Sequence, residues 1–190
     1  MHQQPPAPLA VVRTIGHSIL PIETFVDILC SHGIKLLADV RTVPRSRHNP
    51  QFNQESLPDS LAAAGIKYLH MPGLGGYRHA RRDSVNTGWK NDSFRGYADY
   101  MQTPEFVENV DRLVELAPRL PLAIMCAEAV PWRCHRSLIA DALTVRGVLV
   151  EHIFSAQKRS QHALTPWAHI EGQQITYPPE TLSLGLESNK

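Results

Sequence analysis

The sequence predicts a single α/β domain, built on a mainly parallel sheet of about five strands with helices on both faces. Short apolar runs of strand length alternate with segments in which apolar residues recur at helical spacing. The connections between these segments are short enough to join parallel neighbours through a helix. The 190 residues are also enough to enclose one well-buried core.

The first half of the chain supplies three of the predicted strands. Each is a short apolar or β-branched run, and they lie at 9–15, 34–41 and 66–71. A helix begins at Pro21 and ends before Gly33, because proline suits a first helical turn and glycine suits the residue after a helix. A second, weaker helix is predicted at 55–64 and is closed by Gly65.

The second half repeats the alternation of helix and strand. Helices are predicted at 94–101, at 104–116 with Thr103 as cap, and from Ser137 to Gly147. The remaining strands are predicted at 121–126 and 148–154, and residues 165–178 form either a closing hairpin or a wrap against the domain. The irregular segment from Pro72 to about Trp89 is long for a compact domain, which favours a lid or a binding loop.

One domain is predicted to span residues 9–180, between flexible tails at 1–8 and 181–190. The net charge of +1 argues against a protein that coats nucleic acid indiscriminately. No apolar run is long enough to span a membrane, and no secretion signal is recognisable at the N-terminus. Three cysteines, an odd number, suit a reducing compartment, so we expect a cytoplasmic protein with no membrane partner.

Positive charge is concentrated in the middle of the chain. Residues 41–90 carry eight Lys or Arg against three acidic residues, whereas the remainder carries eleven basic and fifteen acidic residues. A phosphate-bearing small molecule or a nucleic acid is the partner that this segment favours. The sequence does not indicate an oligomeric state.

Polar side chains follow the predicted strands at the points where the strands end. In an open parallel sheet, ligands bind beyond the carboxyl ends of the strands, so these side chains predict one shared pocket. The strand-end residues are His17 and Ser18, Asp39 and Arg41, Gly75 and Gly76, Cys126 and Glu128, and, less closely, His152.

Three residues are the predicted catalytic set. Cys134 lies at the start of a helix between Arg133 and Arg136, where its thiol pKa should be lowered; the alternative is a buried structural cysteine. Glu128 follows a buried strand and suits a general acid or base, or else an ion pair that holds the loop. His17 suits a proton carrier, or else a structural imidazole.

A larger set is predicted to bind substrate. Arginine holds phosphate through two parallel hydrogen bonds, glycine allows close approach of the backbone, and an Asp39–Arg41 ion pair would brace the loop. Aromatic residues such as Tyr77 and Trp132 either stack on a base or belong to the core. The substrate-binding prediction comprises Ser18, Asp39, Arg41, Arg45, Arg47, Gly75, Gly76, Arg78, Cys126, His135 and Arg136.

No metal ligand or cofactor is predicted, although two alternatives involve the cysteines. Cys126 and Cys134 with His17 and His135 would make a Cys2His2 set for zinc, despite a cysteine spacing unlike that of a zinc knuckle. The same two thiols could instead close a redox disulfide.

Four motifs, in order, closely resemble the bacterial family catalogued as domain of unknown function 488. The resemblance covers residues 13–154, names no reaction, and implies only that its signature residues form one site. These motifs are Thr14–Ser18; Asp39–Arg41 with Pro44, Ser46, Arg47 and Phe52; Tyr68 with Leu74–Gly76; and Cys126-Ala-Glu128 with Cys134-His135-Arg136.

The layout is also loosely similar to that of rhodanese-type sulfur transferases, in which an Asp-Val-Arg strand precedes a strand, cysteine, loop and helix. That similarity implies a persulfide on Cys126. The loop here departs from the pattern by containing Glu128 and Pro131. A carboxylate at this place opposes an anionic substrate unless it is protonated or paired.

Taken together, these residues favour a hydrolase or transferase that acts on a phosphate-bearing nucleotide or nucleic acid. Glu128 with Cys134 or His17 would carry out the chemical step. A non-catalytic nucleic-acid binding module, with its backbone contacts along residues 41–90, is the first alternative. A metal-binding or thiol redox protein acting through Cys126 and Cys134 is the second.

Overall fold

The computed structural model describes residues 10–179. Both predicted tails, 1–8 and 181–190, lie outside this range. The strands are β1 Val11–Gly16, β2 Leu36–Asp39, β3 Lys67–His70, β4 Leu122–Cys126, β5 Leu149–Ile153, β6 Arg159–Gln161, β7 His169–Glu171 and β8 Gln174–Thr176. The α-helices are α1 Ile22–Ser31, α2 Leu57–Ala63, α3 Asp92–Tyr100, α4 Pro104–Leu116 and α5 Arg136–Thr144.

Six strands form the main sheet, in the order β3-β2-β4-β1-β5-β6. The first five are parallel, and β6 pairs antiparallel to β5. The predicted mixed α/β fold, with its mainly parallel sheet, is confirmed. Strand β6 was not predicted, because its residues Arg159–Gln161 are all exposed and have no apolar pattern.

The sheet has a separate core on each face. Leu37, Ala123 and Met125 point to the face covered by α1 and α2. Their chain neighbours Ala38 and Ile124 point to the face covered by α3, α4 and α5. This alternation follows from the two-residue period of a strand, and it explains why the central strands are apolar along their whole length.

The predicted helices are found within about two residues of their expected ends. Helix α4 has the predicted bounds, and the Phe106 N–H donates to the Thr103 hydroxyl at 3.3 Å as the cap. Strands β7 and β8 form the closing hairpin, the first of the two arrangements considered for this segment. Gly172 makes its turn, with φ at +62°. No described helix is sufficiently long and apolar to cross a membrane.

The long segment between β3 and α3 is packed against α3. The Asp99 carboxylate of α3 accepts hydrogen bonds from the Arg81 N–H at 2.8 Å, the Ser84 hydroxyl at 2.5 Å and the Asn86 amide at 2.8 Å. Gly96 lets the segment approach closely, because an added Cβ would lie 2.5 Å from the Arg78 carbonyl oxygen. The segment therefore forms a fixed wall beside the carboxyl edge of the sheet.

A crevice opens where the connections after β1 and β4 diverge. The chain leaves β1 toward α1 on one face and leaves the adjacent β4 toward α5 on the other. In doubly wound folds, ligands bind at such a switch point, beyond the carboxyl ends of the two strands. Here that position lies between His17 and Cys126.

Candidate active site

The crevice contains a cavity of about 700 Å³. Its wall is built from the residues that follow β1, β2 and β4, from the segment after β3 and from the start of α3. The residues that line it include His17, Ser18, Arg41, Thr42, Arg45, Gly76, Tyr77, Cys126, Glu128, Arg133, Cys134 and His135.

The sulfur of Cys134 lies among hydrogen-bond donors on the cavity floor. A single 3-10 turn at Pro131–Arg133 reverses the chain after β4 and returns it to the edge of the sheet. The Arg136 backbone N–H and side-chain Nε lie 3.5 Å and 3.4 Å from Cys134 Sγ, and His135 Nδ1 lies 3.7 Å away. Several weak or charged donors thus converge on one buried sulfur.

The two buried cysteines have opposite pKa shifts. Burial raises the pKa of Cys134, but hydrogen bonds with Cys126 and His135, together with the charges of His135 and Arg136, outweigh burial and bring that pKa well below its ordinary value. The hydrogen bond to Cys134 raises the pKa of Cys126 well above its ordinary value, and burial adds to the effect. A proton is therefore lost more easily from Cys134 than from Cys126.

Arg136 is enclosed without a carboxylate neighbour among residues 10–179. Its side chain is only 1% exposed. Besides Cys134, the guanidinium donates to the Glu128 carbonyl oxygen at 2.6 Å, the Ala129 carbonyl oxygen at 3.5 Å and the Thr14 hydroxyl at 3.4 Å. Of these groups only the Cys134 sulfur can carry the negative charge that a buried cation requires.

His135 is oriented by its other ring nitrogen. Nε2–H donates to the Val40 carbonyl oxygen at 3.2 Å, which leaves Nδ1 facing the Cys134 sulfur. Nδ1 can then hold the proton that the thiol gives up, as in a thiolate–imidazolium pair. Gly76 packs against this ring, and a Cβ there would lie 2.5 Å from Nδ1.

His17 is held as a neutral imidazole by both of its ring nitrogens. Nδ1–H donates to the Ser18 carbonyl oxygen at 2.8 Å, and Nε2 accepts from Arg41 Nη1 at 3.2 Å. Arg41 in turn forms the predicted ion pair with Asp39, at 2.6 Å. Burial, with the charge of Arg41, lowers the pKa of His17 to about 4. His17 therefore positions Arg41 and has no ring nitrogen left for proton transfer.

The lowered pKa of His17 makes stability depend on pH. The unfolded chain binds a proton on His17 below pH 6.5, whereas the folded protein does so only near pH 4, so stability falls as the pH drops between these values. The loss attributable to His17 should reach at most about 3 kcal/mol near pH 4. Urea unfolding of the wild type and of His17→Gln at both ends of this range measures it.

The comparison of the wild type with His17→Gln is needed because burial also lowers the pKa of His152, which therefore adds its own loss of stability as the pH falls. His17→Gln should flatten the stability profile, and His32→Gln, at the exposed end of α1, should leave it unchanged. Equal profiles for the wild type and His17→Gln would contradict the assignment of a neutral His17.

Glu128 lies on the exposed rim of the cavity. Its backbone oxygen accepts from Arg136, and its side chain forms no ion pair within residues 10–179. The carboxylate is thus open to the cavity. This geometry favours a proton-transfer role over the alternative of an ion pair that braces the loop.

The structure brings together most of the predicted site. The catalytic set lines the cavity, as do the predicted binding residues Ser18, Arg41, Arg45, Gly76, Cys126 and His135. Arg136 and Asp39 lie behind the wall, where they hold Cys134 and Arg41. The remaining binding predictions are not on its wall: Arg47, Gly75, which packs on Thr42, and Arg78, whose guanidinium stacks 3.6 Å from the Tyr100 ring.

Arg133, Thr42 and Tyr77 are among the lining residues that were not predicted as site residues. Arg133 was noted only as a flank of Cys134, and nothing in its local pattern shows that it faces the cavity. Thr42 has a buried hydroxyl with no hydrogen-bond partner among residues 10–179. Tyr77 is 84% exposed although it lines the cavity, so it is available to a ligand. The sequence signal that could have indicated one of these residues is the aromatic Tyr77 directly after Gly75 and Gly76.

A metal ion has three candidate ligands here. The ligand atoms of Cys126, Cys134 and His135 all lie within 4.8 Å of one another. His17 is not part of this group, because its two nitrogens are occupied by Ser18 and Arg41. The predicted four-residue zinc set is therefore reduced to three, and Arg136 already neutralises one of the two sulfurs.

A second cavity of about 560 Å³ lies beyond the segment after β3. Although several arginines line it, Arg81 pairs with Asp83 at 2.8 Å, and Arg95 pairs with Asp92. No cysteine lies on its wall. Its chemistry is that of paired surface charges, and the candidate site remains the cavity over Cys134.

The fold and the site define an α/β protein with two buried cysteines at the carboxyl edge of its sheet. The chain belongs to the family described as Domain of unknown function DUF488, whose model matches residues 21–143. That span includes Cys126, Glu128 and the Cys134–Arg136 motif, and it begins after His17. No curated protein and no solved structure matches the chain.

Proposed function

We propose that this protein is a cytoplasmic enzyme that hydrolyses a phosphate ester of a nucleotide or nucleic acid, with the Cys134 thiolate as nucleophile. The observation that carries the proposal is the buried Arg136 guanidinium. Among the hydrogen-bond partners of this guanidinium within residues 10–179, only the Cys134 sulfur can supply negative charge. A thiolate at neutral pH is the reactive form of cysteine.

The cavity wall supports an anionic substrate that also has an apolar, flat part. Arg133 lines it and forms no ion pair within residues 10–179, Arg41 and Arg45 line it in ion pairs with Asp39 and Glu55, and the unpartnered Thr42 hydroxyl can contribute a further hydrogen bond. Exposed apolar side chains lie on the same wall, at Ile19, Val43 and Tyr77. Phosphate suits the guanidinium groups, and a nucleobase suits the exposed aromatic ring.

The proposed reaction has two steps. Cys134 attacks phosphorus, an S–P bond forms, the P–O bond to the leaving group breaks, and the leaving oxygen takes a proton from solvent. Water then attacks phosphorus, the S–P bond breaks, and Glu128 takes a proton from the water. Phosphate leaves, and the Cys134 thiolate is restored beside Arg136.

The distribution of basic residues gives less support to binding along a nucleic-acid backbone. Of the eight basic residues between 41 and 90, Arg41, Arg45 and Arg81 form ion pairs with acidic neighbours. Arg78 donates to backbone oxygens and stacks on a ring. The segment is therefore not a continuous row of available cations, which a backbone-binding surface requires.

The test uses a chromogenic probe, the p-nitrophenyl ester of thymidine monophosphate. Wild-type protein should release nitrophenol, and Cys134→Ser should reduce the rate to background. Glu128→Gln should bind the probe and accumulate thymidine monophosphate attached to the Cys134 sulfur, detected by intact-protein mass spectrometry, because the second step lacks its base. Glu128→Gln should melt within a few degrees of the wild type, whereas Cys134→Ser should melt lower, because it leaves the buried Arg136 guanidinium without a negative partner.

Two outcomes would contradict the proposal. Release of nitrophenol by Cys134→Ser at the wild-type rate would show that Cys134 is not the nucleophile. A steep, log-linear loss of oligonucleotide binding with salt, without turnover of any probe, would favour the backbone-binding alternative. Arg47→Gln is the matched control, since Arg47 is exposed and lies off the cavity wall, and it should turn over at the wild-type rate.

A further inference from the structure

A chain of buried polar groups leads away from the Arg136 guanidinium. Arg136 Nη1 donates to the Thr14 hydroxyl at 3.4 Å, and that hydroxyl lies 2.8 Å from His152 Nδ1. His152 Nε2 lies 2.9 Å from His162 Nδ1, and His162 Nε2 lies 2.8 Å from the Asp141 carboxylate. The proposed reaction uses none of the last three residues.

With both imidazoles neutral, one arrangement of protons satisfies every contact in this chain. A carboxylate only accepts, so His162 Nε2 carries hydrogen and its Nδ1 accepts from His152 Nε2–H. His152 Nδ1 then accepts from the Thr14 hydroxyl, whose oxygen accepts from Arg136. Every donor therefore points from the guanidinium toward the carboxylate.

The far end of the chain is firmly anchored. The Asp141 carboxylate also accepts from the Thr165 N–H at 3.0 Å, the Thr165 hydroxyl at 2.7 Å and the Tyr177 hydroxyl at 2.8 Å. Thr14 and Asp141 have no exposed surface, and His152 is 6% exposed. Aligned hydrogen bonds in such surroundings strengthen one another, and an unpaired member would be costly.

The path returns to the helix from which it started. It runs from Arg136 at the start of α5 to Thr14 on β1, His152 on β5 and His162 after β6, and ends at Asp141 on α5. Only Arg136 and Asp141 lie inside the family match at 21–143. The other members come from the flanking parts of this chain.

We propose that Thr14, His152, His162 and Asp141 act as positioning residues that hold the Arg136 guanidinium against the Cys134 sulfur. The inference rests on the proposed function in treating Cys134 as the reactive thiolate. Thr14 fixes the Nη1 side of the guanidinium, and the two histidines link Thr14 to the buried carboxylate. Loss of a distant member should then change the reactivity of a thiol that it does not touch.

The test is the pH profile of Cys134 alkylation by iodoacetamide, in full-length protein with Cys30→Ser and with peptide mapping of the product. Thr14→Val removes the hydroxyl and keeps the branched shape that suits β1. Alkylation at pH 7 should slow by about threefold or more, and the profile should move to higher pH. Thr14→Ser, which keeps the hydroxyl, should restore the wild-type profile.

His162→Phe tests whether the whole hydrogen-bond chain, and not only the contact between Thr14 and Arg136, affects Cys134. It leaves Arg136, Thr14 and His152 in place, yet it should move the profile in the same direction as Thr14→Val. His32→Phe is the matched control, because His32 makes a single hydrogen bond, to the Ser155 carbonyl oxygen at 2.8 Å, and lies outside the chain. A wild-type profile in His162→Phe, with a shifted one in Thr14→Val, would overturn the proposal.

A second measurement needs no variant. Nitrogen-15 NMR of the histidine rings near neutral pH should show His152 and His162 both protonated at Nε2; the Nδ1–H form of either would overturn the chain.

Failure of the proposed function is distinguishable from failure of the chain. If Cys134 of the wild type is alkylated with the pH profile of an ordinary thiol, the proposed thiolate is refuted. If the wild-type thiol is reactive but the Thr14→Val and His162→Phe variants have the same profile, only the hydrogen-bond chain is refuted.

Discussion

Replacing Arg136 with methionine is expected to slow alkylation of Cys134 at pH 7 at least about tenfold, the larger of the two effects expected on this thiol. Methionine fills most of the buried volume but brings no charge. Without the guanidinium the pKa of Cys134 rises, because burial is then opposed only by the hydrogen bonds with Cys126 and His135 and by the charge of His135.

The same change should lower stability by about 2–4 kcal/mol. The carbonyl oxygens of Glu128 and Ala129 lose a donor, and Thr14 loses its contact. Iodoacetamide kinetics and urea unfolding measure the two effects separately. Arg133→Met is the control, since Arg133 is exposed on the same loop and makes no contact with the sulfur. Equal thiol reactivity in the two variants would show that only the general charge of the loop matters.

Gly16→Ala is expected to destabilise the protein by about 3 kcal/mol or more. A Cβ on Gly16 would lie 1.7 Å from the Glu128 carbonyl oxygen and 2.9 Å from Arg136 Nη2. The clash is with backbone, which cannot rotate away as a side chain can. The loop after β4 would have to shift, and the Glu128–Arg136 hydrogen bond would shift with it.

The measurement for Gly16→Ala is the urea midpoint, with Cys134 alkylation followed in parallel. Gly33→Ala is the matched control. Nothing lies near its added Cβ, and the cost of about 1 kcal/mol comes only from its positive φ of +66°. If Gly16→Ala were as stable as Gly33→Ala and kept the wild-type thiol, the close approach of β1 to the loop after β4 would be refuted.

The sequence predicts much of the fold because its elements have strong local signals. Helix α4 has a capping threonine, a proline in its first turn and an apolar stripe, and its bounds agree with the prediction. The central strands are apolar on both faces. Strand β6 carries only exposed side chains, so no apolar pattern could identify it.

The location of the site was also predictable, because strand-end residues must share an edge in a parallel sheet. The role of each residue in the site depends on its contacts with residues behind the cavity wall. Arg136 was predicted to bind substrate, yet burial turns its guanidinium toward Cys134. His17 was predicted to transfer protons, but Arg41 and the Ser18 carbonyl oxygen occupy its ring. Burial of a particular side chain depends on strand order, which the sequence pattern does not contain.

His152 illustrates the same limit. Its position near the end of β5 was noticed, but its neighbour Thr14 is known only once β1 and β5 are adjacent. Thr14 was quoted as part of a family motif and had no role assigned. The hydrogen-bond chain between them is a product of tertiary structure.

The central place of β1 has a consequence for how the protein is made. Strand β1 precedes β2, β3, β4 and β5 in the chain, yet its partners in the sheet are β4 and β5, which begin at Leu122 and Leu149. A nascent chain that has emerged only through β3 can pair β2 with β3, while both edges of β1 stay open. Such long-range pairing slows folding and leaves an apolar edge exposed to other chains meanwhile. The candidate site forms only when β4 is inserted between β2 and β1, so Cys134 cannot contact the buried Arg136 until β4 and the start of α5 have been synthesised.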